Sequence, residues 1–215
     1  MSIYKDLTQL PYYLNFSMVA PPHGRTHAWN TGAGSAPRYD FGFGLSFSSF
    51  EYHDLKAKKL LGDKVSLSVQ VTNTGRKASG WTKPTDEVVQ VYASWAVSRS
   101  SRSSSSSSGG GGGGGGGGFS GRVPVRQLVA FERLRAILPG ETRPWSVVLP
   151  SARYALVDSA GDRVLPKGAV TFSVCGHQPT AASTSATGSP CVSAEVSVRT
   201  RPYVVSTREN GGERF

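Results

Sequence analysis

No apolar run in the 215-residue chain approaches the roughly 20 residues that carry a helix across a bilayer, and no membrane partner is expected. The start, MSIYKDLTQLPYYLNF, lacks a basic stretch followed by an apolar one. No secretory leader is read there, and the chain is expected to begin mid-protein. Cysteine is scarce: there are two, Cys175 and Cys191. Neither lies in a C-x-x-C, and no H-E-x-x-H or Cys/His cluster accompanies them, so no metal is expected. No serine sits in a G-x-S-x-G elbow, and the four histidines (His23, His27, His53, His177) fall in polar or loop-like contexts with no partner set by spacing. The glycine run is followed neither by Gly-Lys-Ser/Thr nor by a helix, which removes a phosphate-binding loop; no cofactor is expected.

Acidic residues are also few. Fourteen Asp and Glu against twenty-four Lys and Arg give a formal charge of +10, and the pI is near 9.9. Such a balance permits contact with nucleic acid, acidic polysaccharide or membrane surfaces. The arginines, however, are scattered singly (Arg122, Arg126, Arg133, Arg135, Arg143, Arg153, Arg163), as on a solvated basic face. The Ser/Gly tract contains only Arg99 and Arg102, and no aromatic RNA-binding signature accompanies it. Nucleic acid is not an expected partner.

What is present reads as strands. KVSLSVQVTNTG puts Val65, Leu67, Val69 and Val71 on one face and Ser66, Ser68, Gln70 and Thr72 on the other, and Asn73, Thr74 and Gly75 follow as turn residues that tolerate positive φ. DEVVQVYAS has apolar residues on both faces, with Val89, Val91 and Ala93 opposite Val88, Gln90 and Tyr92, as in an interior strand or one facing a neighbouring domain. Residues 98–118, serine and glycine with two arginines, offer nothing to offset the entropy of ordering and read as a flexible insert.

Beyond the insert, RQLVAFERL sets Val129 and Phe131 apart from Leu128, Ala130 and Leu134, and RPWSVVLP aligns Trp145, Val147 and Leu149. RYALVDSAGDRVLPKGAVTFSVCG reads as a strand, a turn at Ser159–Gly161, a short return and a strand carrying Val170, Phe172 and Val174. CVSAEVSVRTRPYVVS adds an edge strand before a polar tail. No segment reads as a helix. Short strands punctuated by Pro/Gly turns indicate an all-β, immunoglobulin-like antiparallel sandwich, here with an irregular N-terminal segment. Cys175 and Cys191 flank a polar loop; a disulfide between them closes it if the loop ends pair as a hairpin, and two separate thiols on neighbouring strands are the alternative. N-F-S at Asn15–Ser17 fits an N-glycosylation acceptor.

The stretch YDFGFGLSFSSFEY, which mixes glycines into an aromatic run, resembles the junction of family-three glycoside hydrolases, Tyr-Pro-Phe-Gly-x-Gly-Leu-Ser-Tyr-Thr-x-Phe, found just before their C-terminal fibronectin type III-like domain. Tyr39, Phe41, Gly42, Gly44, Leu45, Ser46 and Phe50 match, while Asp40 replaces the proline and Phe47 the tyrosine. In the same order, VTNTG with DEVVQVY, PVRQLVAFERLRAILPGET and ALVDSAGDRVLPKGAVTFSVCG are similar to later elements of that domain. GRTHAWNTG resembles a Gly-Arg-Thr-Tyr-Arg-Phe-Tyr-Thr-Gly segment of the plant-type β-xylosidase branch, with Gly24, Arg25, Thr26, Thr31 and Gly32 matching.

The resemblance implies a fibronectin type III-like domain over 46–200 with the insert at 98–118. It also implies a tail of a lost α/β domain plus linker over 1–45 and a flexible end over 201–215. Its partners would be the catalytic domains of a β-xylosidase or β-glucosidase-like enzyme and, beyond them, plant-type or algal polysaccharide, in an extracellular or cell-wall setting. Gly42 and Gly44 would lie against the neighbouring catalytic body while Phe41, Phe43 and Phe47 fill the seam; an aromatic platform for sugar is the alternative. The family's catalytic acids belong to domains outside these motifs, so no catalytic residue is assigned. Asp86 and Glu87 cannot substitute, because adjacent strand residues point to opposite faces, and Asp158 and Asp162 bracket a turn. The chain alone is expected to be inactive. A stand-alone carbohydrate-binding sandwich is the other reading, to be decided by whether Trp29, Trp81 and Trp95 are exposed and coplanar.

Overall fold

The computed structural model describes residues 4–5, 7–10, 12–17, 26–29, 37–46, 48–75, 83–97, 119, 121–179 and 191–198. The insert at 98–118, the end at 201–215, Phe47, Trp81 and, from the xylosidase-like motif, Gly24, Arg25, Thr31 and Gly32 lie outside them. Nine strands are described: β1 (Phe50–Lys59), β2 (Val65–Asn73), β3 (Thr85–Val97), β4 (Gln127–Ile137), β5 (Thr142–Leu149), β6 (Leu156–Val157), β7 (Arg163–Val164), β8 (Gly168–Cys175) and β9 (Val192–Val198). They form a three-stranded sheet β1-β2-β5, a four-stranded sheet β4-β3-β8-β9 and a small ribbon β6-β7, and every pairing is antiparallel. The fold is therefore the all-β sandwich that the alternating segments call for. Among the described residues, helical turns are confined to 3₁₀ pieces at Leu7–Gln9, Leu61–Asp63 and Ser151–Arg153 and one α-turn at Thr26–Trp29.

β2 shows why the chain folds this way. Its aliphatic residues Val65, Leu67, Val69 and Val71 are all buried, and the Ser, Gln and Thr residues between them are not. They meet Val89, Val91 and Ala93 of β3 and Val170, Phe172 and Val174 of β8 in one core, with Trp145 and Leu149 of β5 alongside. Each such side chain contributes about 1.5–3 kcal/mol of burial. Tyr154 packs edge-on against Phe172, with centroids 5.4 Å apart, and its hydroxyl donates to the Asp63 carbonyl. Along the sandwich edges β1 lies against β9 and β4 against β5.

Two strands break their alternation. In β1 an extra residue between His53 and Lys56, with Asp54 at φ +56°, moves the inward positions from Phe50 and Tyr52 to Leu55 and Ala57. In β4 the pairs Val91↔Ala130 and Tyr92↔Leu128 leave Val129 as an extra residue. Val129 consequently joins Ala130 and Leu134 on the core, while Phe131 points out and is 71% exposed. This corrects the grouping of Val129 with Phe131, which assumed an unbroken period of two.

The turn residues after β2 also have another role than the one expected. Asn73 is fully buried and does not have positive φ. Its Nδ2 donates to Thr85 Oγ1 (3.0 Å) and to the Ile137 carbonyl (2.9 Å), and its Oδ1 accepts from Ser48 Oγ (2.5 Å) and the Gly75 N–H (2.9 Å). Its backbone N–H donates to the Glu141 carbonyl and its carbonyl accepts from Gly140 N–H. One residue of the three-stranded sheet is thus bonded to both β3 and β4 of the other. A Cβ on Gly75 would sit 2.6 Å from Ser48 Oγ and 2.8 Å from Asn73 Oδ1, so this glycine serves close approach.

Replacing Asn73 by Ala is expected to lower the unfolding free energy by about 2–4 kcal/mol, since four side-chain bonds vanish and buried partners are stranded. Asn73→Asp keeps the shape but puts an acceptor where Ile137 needs a donor, and should cost a similar amount. Urea midpoints at unchanged slope read both, and a loss below about 0.5 kcal/mol would show the bonds to be dispensable.

Candidate functional site

The aromatic-glycine stretch lies against the outer face of the four-stranded sheet. Residues 41–44 turn tightly, with Phe43 N–H donating to the Asp40 carbonyl (3.1 Å). The turn is tied down by Gln178 N–H donating to the Phe41 carbonyl (2.8 Å). Gly42 has φ +92°, and a Cβ there would stand 2.6 Å from Gln90 Nε2, 2.6 Å from the Gly176 carbonyl and 2.9 Å from His177 Cα. Those first two atoms are bonded to each other, Gln90 Nε2 donating to Gly176 O at 3.0 Å, and Tyr92 donates its hydroxyl to Gln90 Oε1 at 2.6 Å. Gln90 and Tyr92 are both buried, so the polar residue within the apolar β3 run forms the floor of a seat for the backbone of Gly42.

For Gly42 this corrects the expectation of close approach to a neighbouring body. Gly42 packs on the sandwich itself. At Gly44, among the described residues, nothing lies within 4 Å of where a Cβ would be, and its φ of +73° favours glycine. The aromatic residues instead face away: Tyr39 and Phe43 stack at 5.1 Å and 27°, and Tyr39, Phe41, Phe43 and Leu45 remain exposed. Ser46 Oγ accepts from Ser48 N–H on the way into β1, and Phe50, which opens β1, is buried in the core.

Charged groups surround the seat. Burial raises the Tyr92 phenol; the Arg126 guanidinium opposes this and the Asp40 carboxylate adds to it. Burial lowers Arg126, which Asp40 and Tyr92 counter. On the core side, Tyr52 donates to Glu87 Oε1 (2.6 Å) across the two sheets, and Gly176 lies against Glu87. Burial raises the Glu87 carboxyl above its ordinary value, against the lowering by the Tyr52 hydroxyl, the Val88 N–H and His177. The adjacent Asp86 turns the other way, to the Ala136 N–H (2.8 Å) and Arg133 (2.8 Å), and those partners lower it. Asp158 Oδ1 accepts from Ala160 and Asp162 N–H and closes a turn. Neither pair offers two carboxyl groups to one bond.

The remaining expected positions are placed as follows. Cys175 at the end of β8 and Cys191 just before β9 form a disulfide with Cα atoms 4.8 Å apart, and His177 lies beside them. Bonded to each other, the sulfurs are not thiolate ligands. Asn15 lies in a turn where its Oδ1 accepts from Ser17 N–H (3.0 Å). Trp95 packs on the core and donates to the Tyr154 carbonyl (3.1 Å), and Trp145 is buried with its indole N–H on Glu132. Trp29 is half-buried and lines a cleft. Among the described residues no row of coplanar exposed tryptophans forms.

Three measurements follow. Gly42→Ala is expected to cost about 2–4 kcal/mol through collision with the seat and positive φ together, whereas Gly44→Ala should cost about 1 kcal/mol from φ alone. Equal losses in urea would contradict the seat. Reduction should remove about 3 kcal/mol, as expected for a loop of this length, read as a fall in melting temperature with a phosphine reductant. For Glu87 the folded pKa lies above the unfolded one, so its contribution is full below about pH 4.5 and is lost as pH rises through the folded value. The stability of the protein minus that of Glu87→Gln should therefore fall as pH is raised from about 4 to 7; a flat or rising difference contradicts this.

Comparison with known proteins places this geometry. Residues 118–178 match a family model described as fibronectin type III-like domain. A β-glucosidase of Kluyveromyces marxianus is 34% identical over 111 residues, 52% of this chain and 10% of that protein. A periplasmic β-glucosidase of Salmonella typhimurium is 30% identical over 152 residues, 66% of this chain and 16% of that one. The chain thus spans less than a fifth of these relatives. The crystal structure of a β-glucosidase from Listeria innocua in complex with gluconolactone superposes with a TM-score of 0.60 at 21% identity, covering 95% of this chain and 24% of the other. The chain carries a fibronectin type III-like domain of the type found in family-three glycoside hydrolases.

Proposed function

We propose that this chain is the non-catalytic accessory domain of a β-glucosidase- or β-xylosidase-type glycoside hydrolase. The observation that carries the reading is the two-sidedness of the junction segment: its backbone is keyed to the sandwich at Gly42 while Tyr39, Phe41, Phe43 and Leu45 present an apolar face outward. An exposed aromatic cluster on a rigid support is suited to packing against another domain. The occupant is the catalytic part of the parent enzyme, for which the residues before 46 are tail and linker. The disulfide and the Asn15 acceptor accord with an extracellular parent.

The purified chain is expected to release no nitrophenol from aryl glucosides or xylosides; turnover that survives exclusion of contaminating enzyme would overturn the proposal. When the catalytic domains of a related β-glucosidase are supplied separately, the chain should bind them, and Phe41→Ser with Leu45→Ser should weaken that binding about tenfold or more without changing the melting temperature. Binding unaffected by both changes would move the interface elsewhere and remove the argument.

A further inference from the structure

We propose that the Cys175–Cys191 disulfide governs the docking face of this chain: closed, it holds the seat on which the aromatic turn at 39–45 rests, and opened by reduction, it lets that turn lift away. The seat begins at the residue after the bridge. β8 ends at Cys175, and its ladder with β3 ends there too, at the pair Gln90↔Cys175. The three residues that follow belong to no strand, yet they carry one wall of the seat. The Gly176 carbonyl and His177 Cα stand 2.6 Å and 2.9 Å from where a Cβ on Gly42 would be, and Gln178 N–H donates to the Phe41 carbonyl (2.8 Å). Gln90 Nε2 holds the Gly176 carbonyl (3.0 Å), and His177 Nδ1 donates to the Gln178 carbonyl (3.0 Å), a bond within the segment itself. Gln178 is buried, but its Oε1 has no hydrogen-bond partner among the described residues. A stranded acceptor costs free energy, so something other than this side chain keeps the segment in place.

The bridge supplies that hold. Cys175 is fully buried, its Sγ lies 3.0 Å from the His177 carbonyl, and its Cα is 4.8 Å from that of Cys191. The bridged sulfur has no proton, so its contact with the carbonyl is packing rather than a hydrogen bond. β9 has a tie of its own, since seven residue pairs, from Gly168↔Val198 to Val174↔Val192, join it to β8. Opening the bridge therefore acts first on 176–178, which have no such ladder, and through them on the backbone of Phe41 and Gly42. Cys191 is the more exposed of the two cysteines. A dithiol reductant breaks the sulfur–sulfur bond: two electrons and two protons pass to Cys175 and Cys191, which become thiols, and the reductant's own sulfurs join. The conformational freedom regained at 175–178 then opposes the few bonds of the seat.

The proposal rests on the accessory-domain reading above, to which it adds a control of the docking face. The test uses the full chain with Cys175→Ser and Cys191→Ser together, so that no reductant reaches the partner, and the separately supplied catalytic domains of a related β-glucosidase. At a temperature where it keeps native near-UV circular dichroism, the double variant should bind at least about tenfold more weakly than the bridged chain. Leu149→Ala is the control: it opens a core cavity beside Val65 and Lys59, at the other end of the three-stranded sheet from Phe50 and the junction, and should leave binding unchanged. Equal binding with and without the bridge, or an equal loss from Leu149→Ala, overturns the proposal. So does a double variant that is unfolded at every temperature, because the bridge would then hold the fold rather than the seat. If the bridged chain itself does not bind, the accessory-domain reading fails and the seat is read from urea midpoints. Gly42→Ala and the double serine change open the same contact, so their combined loss should fall about a third or more short of the sum of the separate losses, and additive losses overturn the coupling.

Discussion

Among the polar bonds that cross between the two sheets, those of one buried amide, Asn73, reach the most elements. An amide has two donor hydrogens and two acceptor positions, and Asn73 has a partner for each of them inside the protein, drawn from the entry to β1, from β3, from the end of β4 and from its own turn. Apolar packing between sheets is tolerant of sliding, because one aliphatic contact is much like the next. A fully satisfied polar group is not tolerant, since displacement by an ångström or two leaves donors and acceptors stranded in a medium without water. Asn73 therefore sets how the sheets sit on one another, and the aliphatic core fills the space that this fixes.

The junction seat depends on the same logic one layer out. Gln90 and Tyr92 lie on the face of β3 turned away from the core, yet they are as buried as core residues because the chain around Gly42 covers them. Their mutual bond, and that of Gln90 to Gly176, leave an unadorned backbone as the only thing that can lie on top. The result is a surface whose aromatic cluster is positioned by β3 and β8 rather than by a wandering linker, which is what a contact with a second domain requires if the angle between them is to be definite.

How much of this could be read beforehand varied with local chemistry. β2 was transparent because each inward residue is aliphatic and each outward one is Ser, Gln or Thr, so period and polarity agree. β1 was not read as a strand, since its bulge at Asp54 shifts the inward set from even to odd positions within ten residues and charged side chains occupy the gaps. The same kind of slip misplaced Phe131. The divergence of Asp86 and Glu87 was legible from the two-residue period alone. In the junction, the need for glycine was legible but its object was not: the resemblance pointed outward, while the neighbour of Gly42 comes from β3 and from the end of β8, 48 and more positions along the chain. Gln90 was the available signal, a polar residue inside an apolar strand that had to be bonded to something.

The bridge between Cys175 and Cys191 has a consequence for how molecules of this chain meet one another. Among the described residues β9 is the outermost strand of its sheet, and it begins beside Cys191 with Val192 opposite Val174. Border strands are the ones that peel away and trade places with a copy from another molecule, or creep along their neighbour to a wrong alignment. A covalent rivet at the first residue of the pairing forbids both, because neither exchange nor a two-residue creep can occur without breaking a sulfur–sulfur bond. This border is in this way kept faithful to its own chain, and that fidelity becomes conditional on the redox state of its surroundings.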